Sequence, residues 1–301
     1  NHLTIQTHDL TKTYKGVQAL KSLNLTVRQN SIFGFLGPNG AGKTTTIRCL
    51  LDLIRPDAGA IRILGLDPIV DSVAVRRRVG YLPGELSLEA NLTAEGLLHY
   101  LDDLRGRQVN WTSVRRLAER LELDLKVPFK NLSRGNKQKV GVVQALMARP
   151  ELLLLDEPTS GLDPLMQQEV YRLLREAKAA GTTIFFSSHI IGEVEAIAER
   201  VAIIRQGVIV EEAEPGRLVN MALRRIRLRF RQPVDPEPLT HVEGVSILSR
   251  DGDTGLILQV EGEVDALLKA LAAFPVSDLQ TEQQSLEEVF LAYYKTGEEE
   301  R

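Results

Sequence analysis

Nine residues near the start of the chain have the composition and spacing of a phosphate-binding loop. They match the pattern G-x-x-x-x-G-K-[ST] at every fixed position, and they are Gly37, Pro38, Asn39, Gly40, Ala41, Gly42, Lys43, Thr44 and Thr45. The apolar run 31–36 before them predicts a buried strand, and apolar residues at helical spacing follow them. In that setting the glycines turn backbone N–H groups toward phosphate, and the N-terminus of the helix adds partial positive charge. A glycine turn that only joins strand to helix is the simpler alternative.

A second segment supplies two acids that suit the same chemistry. Leucines 152–155 form a continuous apolar run, typical of a strand buried on both faces, and Asp156 and Glu157 end it. Functional groups gather at the C-terminal edge of such sheets. We therefore predict that Asp156 holds Mg²⁺, directly or through water, together with the hydroxyl of Thr44. Glu157 would take a proton from an attacking water, while Lys43 would reach the β- and γ-phosphates.

Two later segments add further candidate groups. Ser133 is a good helix N-cap, and with Gly135 it presents a hydroxyl and bare N–H groups at a helix N-terminus, which could bind phosphate or simply form an ordinary cap. Asp163 follows a tight loop and is predicted to cap a helix with Pro164 at its first position. His189 follows the buried strand 183–188, where it could touch a γ-phosphate, although a lone histidine is more often structural.

Composition limits the class of protein. The chain has 301 residues, of which 43% are hydrophobic and 26% are charged, and its formal net charge of -3 argues against a nucleic-acid partner. Cys49 is the single cysteine, which favours a reducing cytosol without a disulfide framework. No apolar run approaches the ~18 residues of a membrane span, and no signal peptide is expected. We therefore expect a cytoplasmic protein that would reach a membrane only through a partner.

The pattern along the chain predicts an α/β core followed by a smaller domain. We predict an edge strand at 3–8, a helical subdomain at about 84–150 within a core spanning 1–217, and a small α+β domain at 218–301. In that domain, 225–231 alternates apolar side chains with arginines. The basic face could bind an anionic partner or lipid headgroups, although a solvated face is the commoner arrangement. Amphipathic helices are predicted at 264–274 and 286–294.

Together these segments resemble the nucleotide-binding subunits of ATP-binding-cassette (ABC) transporters over about residues 3–217. The matching motifs occur in the family's order and spacing, and they are the adenine-stacking aromatic (Tyr14), the Walker A loop (37–45), the signature usually written LSGGQ (132–138, with variations around Ser133 and Gly135), the Walker B strand with its catalytic glutamate (152–157), the D-loop (160–163) and the switch histidine (His189). Tyr14 by itself is more commonly a half-buried loop residue, although stacking on a purine would suit it.

The resemblance implies an ATPase with a P-loop fold that uses ATP and Mg²⁺, with Lys43, Glu157 and His189 as its catalytic residues. In this family two cassettes close head to tail. Each nucleotide then lies between the phosphate loop of one copy and the Ser133-x-Gly135 segment and D-loop, ending in Asp163, of the other. The resemblance therefore implies two kinds of partner, a second copy of this chain and a multi-spanning membrane permease on whose cytoplasmic side the dimer would sit.

One position departs from the family pattern. The family normally has a glutamine after the strand equivalent to 79–83, where it senses Mg²⁺ and contacts the membrane subunit. This chain has Gly84 followed by Glu85. Glycine supplies no ligand, so Glu85 or water takes its place, or metal sensing is weaker.

The ending at 286–294, LEEVFLAYY, resembles the tails of drug-export and related ABC-2-type cassettes, whose permease is a separate chain. It favours ATP-driven export, and its apolar side could pack on its own domain or on a partner cassette.

Two alternative functions belong to other classes of protein. One is a non-transport cassette ATPase serving translation, DNA repair or cluster assembly, and the other is a regulatory nucleotide-binding module, against which the intact Lys43, Asp156, Glu157 and His189 argue.

Overall fold

A computed structural model describes residues 2–86, 92–107, 109–215, 224–261 and 264–282. The chain divides into two compact units, Asn1–Ala213 and Glu214–Arg301. The predicted domain boundary after residue 217 and the predicted helix at 286–294 both lie outside the described residues, so they stay predictions.

The strands of the described residues are numbered in chain order as β1 (Leu3–Tyr14), β2 (Val17–Arg28), β3 (Ile32–Leu36), β4 (Ala58–Ile63), β5 (Val79–Leu82), β6 (Leu152–Asp156), β7 (Thr183–Ser188), β8 (Arg200–Arg205), β9 (Val208–Ala213), β10 (Arg224–Phe230), β11 (Val245–Arg250), β12 (Gly255–Val260) and β13 (Val276–Glu282). The helices are α1 (Lys43–Leu50), α2 (Ser72–Arg78), α3 (Ala94–Arg105), α4 (Trp111–Arg120), α5 (Arg134–Leu146), α6 (Pro164–Ala179), α7 (Ile191–Ile197), α8 (Glu237–Thr240) and α9 (Asp265–Leu271), with a 3₁₀ turn at Phe129–Asn131.

The larger sheet of the first unit sets the position of every candidate catalytic group. Its described strands lie in the order β5-β6-β7-β3-β8-β9, with all neighbours parallel except the antiparallel pair β8 and β9. Parallel strands end at the same edge, so the segments after β3, β5, β6 and β7 meet there. The register aligns Asp156 with Ser187 and Leu36 with Ser188. The predicted α/β fold class is confirmed.

The smaller sheet of the first unit corrects one prediction. Within the described residues, three antiparallel strands lie in the order β2-β1-β4, so β1 is the central strand and not the edge strand predicted for 3–8. Leu10 pairs with Leu23 on one side, and Ile5 pairs with Ile63 on the other. Alternation in sequence shows that a strand has one buried face, but it does not show how many neighbours the strand has.

Two sets of contacts stabilise the first unit, an aromatic cluster within the larger sheet and ion pairs between two helices. Phe185 of β7 is fully buried, and its ring centroid lies 5.9 Å from that of Phe33 and 5.3 Å from that of Phe35. Arg120 at the end of α4 donates to Glu169 and Glu176 of α6, each at 2.6 Å. These ion pairs fasten the helical segment to the helix that follows the acidic strand.

The second unit is a small α+β domain, as predicted. Its described strands form an antiparallel sheet in the order β11-β12-β10-β13. Ile226, Leu228 and Phe230 of β10 are buried in a core that also includes Leu239 of α8 and Leu267 of α9. The alternating arginines of β10 therefore occupy the opposite face of the strand, as the sequence pattern indicated. Among the helices described in either unit, none is long and apolar enough to cross a membrane.

The central aromatic cluster gives a stability prediction. Replacing Phe185 by Ala removes a fully buried ring and leaves a cavity between Phe33 and Phe35. We expect the free energy of unfolding to fall by about 3–5 kcal/mol in urea denaturation. The matched control is Tyr100→Ala, because Tyr100 on α3 is exposed and its loss should change stability by less than ~0.5 kcal/mol. Equal effects of the two substitutions would contradict this packing.

Candidate active site

The phosphate loop connects the end of β3 to the start of α1. Gly42 has φ 113°, and a Cβ there would lie 2.7 Å from the carbonyl oxygen of Ala19, so only glycine fits. At the other end of the loop, Gly37 N–H donates to the carbonyl of Ser188 at 3.1 Å. The loop is thus fastened to β7, the strand that leads to His189.

Lys43 points back along the loop that precedes it. Its side chain is only 5% exposed, and Nζ donates to the carbonyls of Gly37 at 2.6 Å and Pro38 at 3.2 Å. Nζ also lies 3.7 Å from Oε1 of Glu157. Burial lowers the pKa of the Lys43 ammonium, and the negative charges of Glu157 and Asp156 oppose that shift. The cation therefore already faces the two acids that end β6.

Asp156 is buried, with 2% of its surface exposed, and both carboxylate oxygens accept hydrogen bonds. Thr44 Oγ1 donates to Oδ2 at 2.6 Å, and Ser187 Oγ donates to Oδ1 at 2.5 Å. The structure therefore brings the two predicted metal ligands, Thr44 and Asp156, into direct contact. Ser187 was not predicted, because it is one of two serines that end the strand and its partner is distant in sequence.

Glu157 adopts a left-handed backbone conformation with φ 51°, which is uncommon for a residue other than glycine. Its N–H donates to Ser187 Oγ at 3.1 Å, and its carbonyl accepts from Gln138 Nε2 at 2.9 Å. These bonds hold the strained backbone, which turns the side chain toward His189, with Nδ1 3.0 Å from Oε1. Because Glu157 is 24% exposed and His189 44% exposed, water can reach both.

The residues predicted to act on a second nucleotide lie at the starts of two helices. Ser133 Oγ accepts from the N–H of Asn136 at 3.2 Å, so it caps α5 while remaining exposed. Gly135 approaches the next loop closely, since a Cβ there would lie 2.8 Å from the carbonyl oxygen of Gly161. Asp163 caps α6 by accepting from two backbone N–H groups. The structure thus joins the signature segment to the D-loop within one copy.

Tyr14 ends β1, and 43% of its surface is exposed. The ammonium of Lys12 lies 5.6 Å from the centre of its ring. One face of the ring thus has a cation nearby, and the side chain remains available for stacking.

Comparison with known proteins decides the family. The family model for ABC transporters matches residues 20–160. The bacitracin transport ATP-binding protein BcrA of Bacillus licheniformis is 42% identical over an alignment of 215 residues that covers 69% of each chain. The daunorubicin/doxorubicin resistance ATP-binding protein DrrA of Streptomyces peucetius is 33% identical over an alignment of 304 positions, gaps included, that covers 96% of this chain and 91% of DrrA.

The chain belongs to the ABC transporter family. Solved structures agree with this assignment. An ATP-binding subunit of an ABC transporter has a TM-score of 0.65 and 28% identity, and the match covers 71% of this chain and 91% of that one. The dimeric structure of MJ0796, a bacterial ABC transporter cassette, has a TM-score of 0.61 and 25% identity over 70% of this chain and 98% of that one.

This ABC transporter cassette binds and hydrolyses ATP and powers transport. The predicted family, fold and ATPase activity are therefore confirmed, and the non-transport alternative is not favoured. The roles of the individual site residues, by contrast, stay predictions.

The cassette departs from the family pattern at a position that faces Asp156. A Cβ at Gly84 would lie 3.1 Å from Asp156 Oδ2, so the second residue after β5 borders the acid. Glu85, the next residue, is exposed. Gly84 therefore stands where a longer side chain, such as the glutamine of the family pattern, would reach Asp156, and it offers only its backbone there.

The hydroxyl of Ser187 gives a prediction about activity. Ser187→Ala removes one donor to the buried Asp156 and one acceptor for the N–H of Glu157. A bond of this kind contributes about 1–3 kcal/mol, so we expect the steady-state ATPase rate to fall about ten- to a hundredfold. Ser246→Ala on the exposed surface of β11 is the control and should leave the rate unchanged. An unchanged rate for Ser187→Ala would show that the hydroxyl is dispensable.

Proposed function

We propose that two copies of this chain clasp two ATP molecules head to tail and thereby drive export through a separate membrane permease. The observation that carries the proposal is the placement of Lys43, Glu157 and His189 at one edge of the sheet, with a nearest distance of 3.0 Å between Glu157 and His189 and 3.7 Å between Glu157 and Lys43. The dimeric solved structure of MJ0796 supports the pairing.

The exposed start of α5 supports a shared site. Ser133 and the half-exposed Gly135 present a hydroxyl and backbone N–H groups at a helix N-terminus, which favours an anion. Arg134 Nη2 donates to Ser160 Oγ at 3.2 Å, so this surface is bonded to the loop that ends at Asp163. In the dimer, this surface of one copy would cover the γ-phosphate held by the other copy's phosphate loop.

The donor set at Asp156 fits Mg²⁺. Thr44 Oγ1 and Asp156 Oδ2 are candidate oxygen ligands that lie 2.6 Å apart, and a magnesium ion in such sites takes one or two protein oxygens together with phosphates and waters. Across the described residues, no group of three or more His, Cys, Asp or Glu residues could hold a metal ion by itself. When bound there, Mg²⁺ would neutralise charge on the β- and γ-phosphates.

Three side chains would carry out the other steps of ATP hydrolysis. Glu157 would accept a proton from the attacking water, and His189 would orient Glu157 through their contact at 3.0 Å. Lys43 would leave the carbonyls of Gly37 and Pro38 to donate to the phosphate, where its charge stabilises the transition state. Loss of the γ-phosphate then removes the bond between the copies, and the dimer reopens.

Export is proposed from the likeness to two transport or resistance proteins. DrrA, a daunorubicin/doxorubicin resistance protein, matches 96% of this chain, including the second unit, and BcrA acts in bacitracin transport. We therefore propose antibiotic-like molecules as the exported class. The dimer would sit on the cytoplasmic face of the membrane, held by its permease.

The dimer is tested by Glu157→Gln. This variant keeps the shape of the side chain but removes the general base, so we expect the ATPase rate to fall at least ~10²-fold while ATP binding persists. The ATP-bound variant should then run as a dimer in size-exclusion chromatography with light scattering, and as a monomer without nucleotide. Adding Gly135→Arg, which would crowd the surface beside Gly161, should abolish the dimer. Normal turnover by Glu157→Gln, or a strictly monomeric ATP complex, would refute the proposal.

The metal site is tested by Asp156→Asn. Removing one negative oxygen beside Thr44 should raise the Mg²⁺ concentration needed for half-maximal binding of a fluorescent ATP analogue by about tenfold or more. Asp124→Asn is the control, because Asp124 is exposed and caps a loop by accepting from the N–H of Lys126. An equal Mg²⁺ requirement in both variants would remove Asp156 from the proposed metal site.

A further inference from the structure

Glu193 is a buried carboxylate that the mechanism above does not use. It lies on α7, four residues after His189, and only 7% of its surface is exposed. Oε1 accepts a short hydrogen bond from Thr159 Oγ1, and Oε2 accepts from Ser188 Oγ at 2.5 Å. A buried carboxylate is costly unless donors surround it, so its two hydroxyl partners are needed for it to remain inside the fold.

The two donors belong to different loops of the active site. Thr159 lies between Glu157 and Asp163, and its carbonyl accepts from the N–H of Leu162 at 3.1 Å, which closes the turn before Asp163. Ser188 is the last residue of β7 and directly precedes His189. One carboxylate therefore joins the loop that carries His189 to the loop that runs from Glu157 to Asp163.

The contacts of Ser188 extend this connection to the phosphate loop. Its carbonyl accepts from Gly37 N–H at 3.1 Å, while its hydroxyl donates to Glu193 and accepts from the N–H of Ile190 at 2.9 Å. The preceding residue, Ser187, makes the bond to Asp156. Consecutive serines therefore connect the end of β7 to the buried acid of β6 and to the buried acid of α7. A displacement of His189 would therefore change the hydrogen bonds of both Asp156 and Glu193.

Tyr171 of α6 lies beside Glu193 and Thr159. Burial, together with the nearby negative charge of Glu193, raises the pKa of its phenol to about 12, so the hydroxyl stays protonated. Tyr171 is itself buried on the helix that Asp163 caps. The carboxylate of Glu193 is therefore surrounded by closely packed atoms. A group packed in this way passes a movement of one loop on to the other loop, because there is no free space into which it could move.

We propose that Glu193 is a positioning residue that couples the switch-histidine loop to the loop ending at Asp163. Since that second loop would face the other copy's nucleotide in the dimer, Glu193 would link the two ATP sites. This link rests on the proposed head-to-tail dimer. Glu193 contacts neither nucleotide nor water in this scheme, and it acts by holding Thr159 and Ser188 at fixed separation.

Glu193→Gln in the full chain is the first test. The amide keeps the size of the side chain but offers one acceptor oxygen where the carboxylate offers two. We expect kcat for ATP to fall about ten- to a hundredfold, since small misplacement of catalytic groups has effects of that size, while KM changes less than about twofold. The Hill coefficient for ATP should fall from above one toward one. Glu195→Gln, on the exposed side of the same helix, should leave all three values unchanged.

Thr159→Val provides a second route, because it removes only the hydroxyl that donates to Oε1 and leaves the carboxylate in place. It should reproduce the loss of cooperativity, and the double variant with Glu193→Gln should be no worse than the more affected single variant. Additive losses in the double variant would overturn the proposal, as would a wild-type Hill coefficient in either single variant.

ATP-dependent dimerisation is measured separately from the coupling role of Glu193. ATP-dependent dimerisation of Glu157→Gln tests the proposed function, and the Glu157→Gln/Glu193→Gln double variant should still dimerise. If Glu157→Gln dimerises but Glu193→Gln keeps full kcat and cooperativity, only the coupling role of Glu193 is wrong. If Glu157→Gln never dimerises, the proposed function is wrong and the link between sites is wrong with it.

Discussion

The hydrogen bonds around Asp156 are the constraint on which the site depends. This carboxylate is buried in the sheet, and it is kept there by Thr44, which is 112 residues away in sequence, and by Ser187 of the neighbouring strand. Without these donors the buried charge would destabilise the fold. The phosphate loop and the end of β7 must therefore meet the end of β6. The same bonds that stabilise the sheet edge bring together the groups that are proposed to act on a phosphate.

The hydrogen bonds around Asp156 also explain why the strained backbone is found at Glu157. Glu157 follows Asp156 directly, and its left-handed backbone is held by Ser187 on one side and Gln138 on the other. An unfavourable backbone persists only where its surroundings determine it, as happens at functional sites. Gln138 comes from the helix that Ser133 caps, so the strained acid is also joined to the surface proposed to meet the second copy.

Sequence alone predicted those features whose causes are local. The glycine loop, the caps Ser133 and Asp163 and the leucine strand at 152–155 each follow from neighbouring residues, and the fold class follows from their order. Features that depend on distant neighbours could not be predicted. β1 was predicted at an edge because alternation does not reveal its second partner. The contact of Ser187 with Asp156 and that of Glu193 with Thr159 could not be predicted, because in each pair the partners lie about thirty residues apart in sequence.

The glycine after β5 bears on how the sheet edge would communicate with a permease. Gly84 borders Asp156 with backbone alone, and a Cβ there would already lie 3.1 Å from Oδ2. A metal held at Thr44 and Asp156 would complete its coordination on this side with phosphate and with water or Glu85. Gly84 itself then offers no side-chain bond to the metal, so a link between this segment and the metal would run through Glu85 or water. Direct bonds between the loops exist elsewhere, since Gln138 donates to the carbonyl of Glu157 while Ser188 and Thr159 both donate to Glu193. If Glu193 couples the two loops as proposed, the ends of β7 and β6 and the start of α5 would be the route by which closure at the nucleotide reaches the rest of the cassette.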